Sequence, residues 1–248
     1  MNLRLQHIAN EFWQKVPLST TFPRDIEGTI ATSTPLIIVI LSELSFFKIA
    51  DWFCRRNIML QIGLEDRLLH GFIVLFKSSG FIFINGSDSY EERRMTAAHE
   101  LAHYILDYQL HRQRAIDTLG PTIAEVIDGL RPATTSERLS GLLSSVSLKP
   151  YTHIVEAERG NEGFYDVWKA ENDADHLAVE LLAPVEQIKS DVQQHGKRID
   201  SYMALKAFIQ NLLITKYGLP KGVANGYSGS VALHISGGPS IQERLGLF

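Results

Sequence analysis

The chain has 248 residues, 45% of them hydrophobic, with a formal net charge of −4 and a single cysteine, Cys54. This excludes a disulfide framework, a thiolate metal cluster and a polybasic nucleic-acid surface, and leaves His and carboxylates as the ligands open to a metal. There is no secretory signal pattern at the start, and the most apolar run, Leu36 to Leu41, is too short to span a bilayer, so a cytoplasmic protein without a membrane partner is expected.

Residues 1–34 read as an N-terminal extension: a mildly amphipathic start (Leu3, Leu5, Ile8, Phe12, Trp13), then a Ser/Thr/Pro-rich connector. From Pro35 the spacing of Ile40, Leu44, Phe47, Ala50 and Phe53 predicts a helix ending near Arg55 and Arg56, although Leu36 to Leu41 alone fits a buried helix or a strand. Between 58 and 85 the period changes. Ile58, Leu60 and Ile62 alternate, Gly71 to Phe76 and Phe81 to Ile84 are short apolar runs, and Ser78-Ser79-Gly80 reads as a hairpin turn. A small, mainly antiparallel sheet of three strands follows from this. Asn85 to Asp88 makes a turn, and Ser89 with Glu92 forms a capping box that starts the next helix.

That helix carries His99-Glu100-Leu101-Ala102-His103. Residues four apart lie on one helical face, so His99 and His103 can present two imidazole nitrogens to one metal, most simply zinc. Glu100, one step round, is then placed to act as general base on a water that the metal acidifies.

Residues 108–165 form a long middle section with two helical stripes, Ile123, Val126, Ile127, Leu130 and Leu139, Leu142, Leu143, Val146, which read as packing faces. Residues 166–183 form a second helix of interest, with Ala174, Leu177, Ala178, Leu181 and Leu182 on its buried face and Pro184 at its end. Helices over 185–192 and 202–214 and a turn at Lys216 to Pro220 follow. This spacing resembles a helix-turn-helix, but it lacks Lys and Arg on the second piece, and core packing explains it better than DNA binding. The Gly/Ser-rich tail, 226–248, reads as an edge strand or loosely ordered chain.

A catalytic zinc needs a third protein ligand. A third His six residues after His103 is ruled out, because Gln109 stands there. A carboxylate from the second helix fits better: Glu171 is the strongest candidate, with Asp175 one turn later able to accept a hydrogen bond from the outer nitrogen of a ligand histidine. Glu156, Glu158, Glu162, His111, His153 and His176 compete for the ligand role. Tyr104, His153, Tyr165 and His176 are the candidates for stabilising a transition state.

The run from Glu91 to His103 and the block from Glu171 to Pro184 together resemble the signature of the ImmA/IrrE metallopeptidases, and the likeness extends over roughly residues 36–225. The resemblance implies an α+β, zincin-like fold, its sheet packed on the motif helix and followed by a mostly helical C-terminal part. It implies a gluzincin-like peptidase domain over 35–225 with a helical insertion at about 108–165. By position, His99, His103 and Glu171 would bind zinc and Glu100 would be the base. The substrate implied is a DNA-binding helix-turn-helix repressor. Two features depart from the family: the step from His103 to Glu171 is long, and Asp107 stands where members often carry another His. The rival readings are a non-proteolytic regulatory binding module and the toxin or partner half of a two-gene stress module.

Overall fold

The computed structural model describes residues 2–16, 21–59, 66–76, 79–148, 160–195 and 201–239. In chain order its elements are α1 (Leu3–Gln14), α2 (Ile26–Ser33), β1 (Leu36–Leu41), α3 (Phe46–Cys54), β2 (Gly71–Phe76), β3 (Ser79–Asn85), α4 (Tyr90–His103), a π-helical segment (Tyr104–Gln109), α5 (Leu110–Leu119), a 3-10 turn (Pro121–Ile123), α6 (Ala124–Ile127), α7 (Thr135–Leu143), α8 (Gly160–Leu182), α9 (Val185–Gln194), α10 (Tyr202–Thr215) and α11 (Lys221–Ser236). The class is α+β. Two compact units share the chain: residues 1–26, 90–98 and 176–248 form one, and residues 27–89 and 99–175 the other. No helix among the described residues is long and apolar enough to cross a membrane.

In the second unit the sheet order is β1-β3-β2, with β1 parallel to β3 and β2 antiparallel to it. The sheet is therefore mixed rather than mainly antiparallel. Its third strand is Leu36–Leu41, not the stretch around Ile58, which lies outside any strand; residues 60 and 62 are outside the described residues. Ile37, Ile38, Val39 and Ile40 are β-branched and favour extended backbone over a helix. The parallel pairing requires a crossover, and α3 lies in the connection that supplies it. The predicted hairpin is present, but Ser79 and Gly80 already belong to β3, with Gly80 opposite Leu75.

The helix predicted from Pro35 starts only at Phe46, where the Ser45 side chain accepts the Lys48 N–H. Its buried face is Phe46, Ile49 and Phe53, packed with Phe72, Val74 and Phe83 of the sheet. Trp52 and Phe53 both meet Phe81 and Phe83 edge to face at 5.3–5.6 Å. Each such side chain, when fully buried, contributes about 1.5–3 kcal/mol.

The two stripes of the middle section part company. Ile123, Val126 and Ile127 are buried, but Leu139, Leu142 and Leu143 on α7 are more than half exposed, as is Leu130. The expectation that the second stripe is a packing face fails for these leucines, and only Val146, beyond the helix, is buried.

In the first unit, Leu5, Ile8, Ala9 and Trp13 of α1 are buried. The Trp13 indole N–H and Arg24 Nη1 both donate to the Leu181 carbonyl, at 3.1 and 2.7 Å. The fully buried Arg94 donates to the carbonyls of Gly218 and Arg24, both at 2.9 Å, and Tyr217 at 3.4 Å. The expected connector before residue 34 contains a helix, α2, with Ile26 and Ile30 buried one turn apart. The tail read as an edge strand or loose chain from Gly226 is helical as far as Ser236, and Gly237 ends it in the left-handed region at φ 76°. Tyr227, Val231 and Ala232 are buried on that helix, so apolar side chains spaced along it outweigh the low propensity of its glycines.

Candidate metal centre

Helix α4 begins at Tyr90, directly after Ser89, and runs to His103. Its regular turns put the two histidine rings side by side, with centroids 4.7 Å apart and planes at 74°. Nε2 of His99 and Nε2 of His103 are 3.1 Å apart. Helix α8 brings Glu171 to them, its Oε2 3.4 Å from His99 Nε2 and 3.6 Å from His103 Nε2. These residues form the metal-ligand cluster found among the described residues.

The other nitrogen of each ring is held from behind. Nδ1 of His99 lies 2.8 Å from Asp175 Oδ1, and Nδ1 of His103 lies 2.8 Å from Asp107 Oδ2. Each Nδ1 thus donates to a carboxylate, which leaves Nε2 as the lone-pair side of a neutral ring. Two such lone pairs and a carboxylate oxygen converge at distances that repel unless a positive charge sits among them. With ligand bonds of about 2.0–2.1 Å, the donors of a tetrahedral zinc lie roughly 3.3–3.4 Å apart. The three donor separations, 3.1, 3.4 and 3.6 Å, bracket that edge length. The residues therefore fit a tetrahedral metal with two imidazoles and one carboxylate.

Electrostatics agree with the geometry. With no metal bound, protons take its place: burial works against a charged ring at both histidines, yet hydrogen bonds donated to Asp175 and Glu171 hold His99 up at about 10, and those donated to Asp107 and Glu171 hold His103 up at about 9. The same two histidines hold the Glu171 carboxyl well below its usual range. The site is a sink for positive charge.

Glu100 is 5% exposed, and burial pushes its carboxyl up, against the pull of His99 and His103. The backbone N–H of Ile73, on β2, donates to the carboxylate, while Oε2 is buried with no hydrogen-bond partner. A buried, half-satisfied carboxylate beside a cation site is suited to taking a proton. Ile73 can turn its N–H this way because β2 is an edge strand. His70 O accepts from Asn85 N–H, so the alternation of an antiparallel pair points the N–H and C=O groups of Gly71, Ile73 and Leu75 away from β3.

Of the competing ligands, His111 bonds the Ser147 carbonyl through Nε2, and His176 is exposed. His153, Glu156 and Glu158 are outside the described residues, as are the side chains of Glu162 and Tyr165. Tyr104 is buried against Tyr108, with ring centroids 5.4 Å apart. Asp107 is the functional residue that sequence reasoning passed over; its place one helical turn after His103 was the available signal. The Ile73 N–H leaves no mark in the sequence.

Residues 56–127 match the peptidase M78 family model, described as an IrrE N-terminal-like domain. The matched segment takes in β2, β3, α4, the π-helical segment, α5 and α6, and contains His99, Glu100 and His103; Glu171 lies beyond it. No curated protein and no solved structure gives a match. Through the segment that carries both histidines and the buried glutamate, the chain is similar to the ImmA/IrrE family of peptidases.

Proposed function

We propose that the protein is a zinc-dependent endopeptidase, with His99, His103 and Glu171 holding the metal and Glu100 acting as general base. The observation that carries this reading is the convergence of two imidazole Nε2 atoms and one carboxylate oxygen within 3.1–3.6 Å, beside a buried carboxylate with one unpartnered oxygen. Zinc, when bound, supplies a Lewis acid that brings the pKa of water down towards about 7.

Everything else comes from the chain. Asp175 and Asp107 fix the ring orientations, so that Nε2 rather than Nδ1 faces the centre. The Ile73 N–H holds Glu100, and burial makes its carboxyl a stronger base than an ordinary carboxylate: Oε2 accepts the proton of the attacking water and passes it to the leaving amine. The outward-facing backbone of β2 supports a peptide substrate that adds as an extra strand, directed by the groups of Gly71 and Leu75 on either side of Ile73. A helix-turn-helix repressor is the substrate that the family resemblance favours.

The test is cleavage of candidate protein substrates, read by mass spectrometry of the fragments, with wild type and Glu100→Gln loaded with equal zinc. Fragments from wild type alone support the peptidase. If the zinc-loaded wild type binds a repressor without cutting it, the regulatory binding module takes its place.

A further inference from the structure

Between His103 and α5 the helix does not continue as an α-helix. Tyr104–Gln109 is a π segment, closed at its end by the Leu110 N–H bonding to the Ile105 carbonyl five residues back. A π turn holds one residue more than an α turn. Everything after it is therefore rotated by about 100° from where an unbroken helix would place it. Two consecutive residues of this segment look to different partners. Asp107, about a quarter exposed, takes the His103 Nδ1–H at 2.8 Å. Tyr108, buried, donates its hydroxyl to Asp128 Oδ1 at 2.6 Å. Asp128, 5% exposed at the C-terminal end of α6, also receives Arg112 Nε at 2.8 Å and Nη2 at 2.9 Å, a two-point grip from α5. The hydrogen bonds of the Arg112 guanidinium and the Tyr108 hydroxyl overcome burial and hold Asp128 ionised.

We propose that Asp107 is a positioning residue for the metal site, and that the Tyr108–Asp128–Arg112 cluster locks the π segment that carries it. The stretch after His103 thus sets the affinity of the metal and does more than span the gap to Glu171. This rests on the metal reading given above and adds a residue and a control point to it. The chain of contact is short: Asp128 fixes Tyr108, the peptide unit between Tyr108 and Asp107 fixes the Asp107 carboxylate, and that carboxylate fixes the ring whose Nε2 is a ligand. A positioning carboxylate on a ligand histidine is worth about 10–100-fold in metal affinity.

The experiment is a competition titration of zinc into the full-length protein, with the thermal midpoint of the metal-free form measured in parallel. The variants are Asp107→Ala, Asp107→Asn and Tyr108→Phe. Expected are about 10–100-fold weaker zinc binding for Asp107→Ala and partial recovery for Asp107→Asn, which keeps an acceptor for Nδ1–H. Tyr108→Phe, which removes the hydroxyl that donates to Asp128, is expected to bind zinc several-fold more weakly. Cobalt substituted for zinc reads the geometry independently: a visible band shifted in Asp107→Ala at saturating metal marks a turned ligand ring. Wild-type zinc affinity in Asp107→Ala overturns the positioning role. A lowered metal-free midpoint in Tyr108→Phe with unchanged zinc affinity overturns the lock. A wild type that takes up no zinc overturns instead the metal reading on which both depend.

Discussion

The backbone N–H of Ile73 donates to the Glu100 carboxylate, and so ties an edge strand to the motif helix at the centre of the site. The bond fixes a side chain that the sequence places only to within a turn of helix, and it leaves Oε2 as the oxygen available to a reacting proton. Removing the carboxylate's basicity without its shape is the cleanest probe. Glu100→Gln is expected to keep zinc at wild-type stoichiometry and to lose peptidase activity by about 10²–10⁴-fold, the usual worth of a positioned base. Metal content by mass spectrometry and turnover on one substrate check both halves.

The ligand set makes a separate prediction. Glu171→Gln replaces an anionic oxygen with a neutral amide and is expected to abolish stable zinc binding, as is His103→Ala. Zinc at about 100 times its dissociation constant stabilises the folded wild type by about 2.7 kcal/mol, so chelation lowers its thermal midpoint. In both variants the midpoint is expected to be indifferent to chelator. A Glu171→Gln protein that still gains stability from zinc would move the third ligand elsewhere.

Asp175 holds His99 as Asp107 holds His103, but it is 65% exposed, against 27% for Asp107. Water can replace an exposed acceptor more readily than a sheltered one. Asp175→Ala is therefore expected to weaken zinc near the lower end of the 10–100-fold range, and less than the matching change at Asp107. Zinc affinities of the two variants measured side by side decide the order.

Stability in the first unit has a pH signature of its own. Glu180 is 5% exposed; it accepts the Val185 N–H at 3.1 Å and the Tyr227 hydroxyl at 3.2 Å. Burial nevertheless pushes its carboxyl up, and these two bonds and the nearby Arg24 only partly offset that. A folded pKa raised above the unfolded one means the folded state holds the proton more tightly. The contribution is complete below the unfolded value of about 4.3 and is lost as pH rises through the raised folded value. Glu180→Gln is expected to match wild type near pH 4 and to exceed it in thermal midpoint at pH 7 and 8. A difference that does not change with pH would refute this.

Arg94 and Gly218 form a second structural test in that unit. Gly218 sits at φ 62°, and a Cβ there would lie 2.7 Å from Arg94 Nη1 and 3.2 Å from Pro23 Cβ. Gly218→Ala is expected to destabilise by more than the ordinary ~1 kcal/mol for a left-handed alanine. Arg94→Met strands the carbonyls of Arg24 and Gly218 and is expected to cost about 2–4 kcal/mol. Urea unfolding of the metal-free protein measures both.

What the sequence revealed follows from how local each relationship is. His99 and His103 are one turn apart on a single helix, and Glu171 with Asp175 repeats that spacing on another, so both halves of the site were readable without the fold. Asp107 had the same spacing from His103 and was noted only as a departure from a family pattern. Leu36 to Leu41 was ambiguous because an unbroken apolar run has no period; its four consecutive β-branched residues were the better guide. The leucines of α7 show the converse: an apolar stripe gives the amphipathic face of a helix but not what, if anything, covers it. The bond from Ile73 to Glu100 depends on strand order, which no local pattern encodes.

The π segment also makes the chain intolerant of changes in length at one place. Deleting a single residue between Tyr104 and Gln109 would let the ladder close as an ordinary α-helix, with no hydrogen bond lost. Yet it would turn α5 and the chain after it by about 100° about the axis of the motif helix. Such a deletion would remove no ligand residue and still erase the phase relation between the metal helix and the chain that follows it.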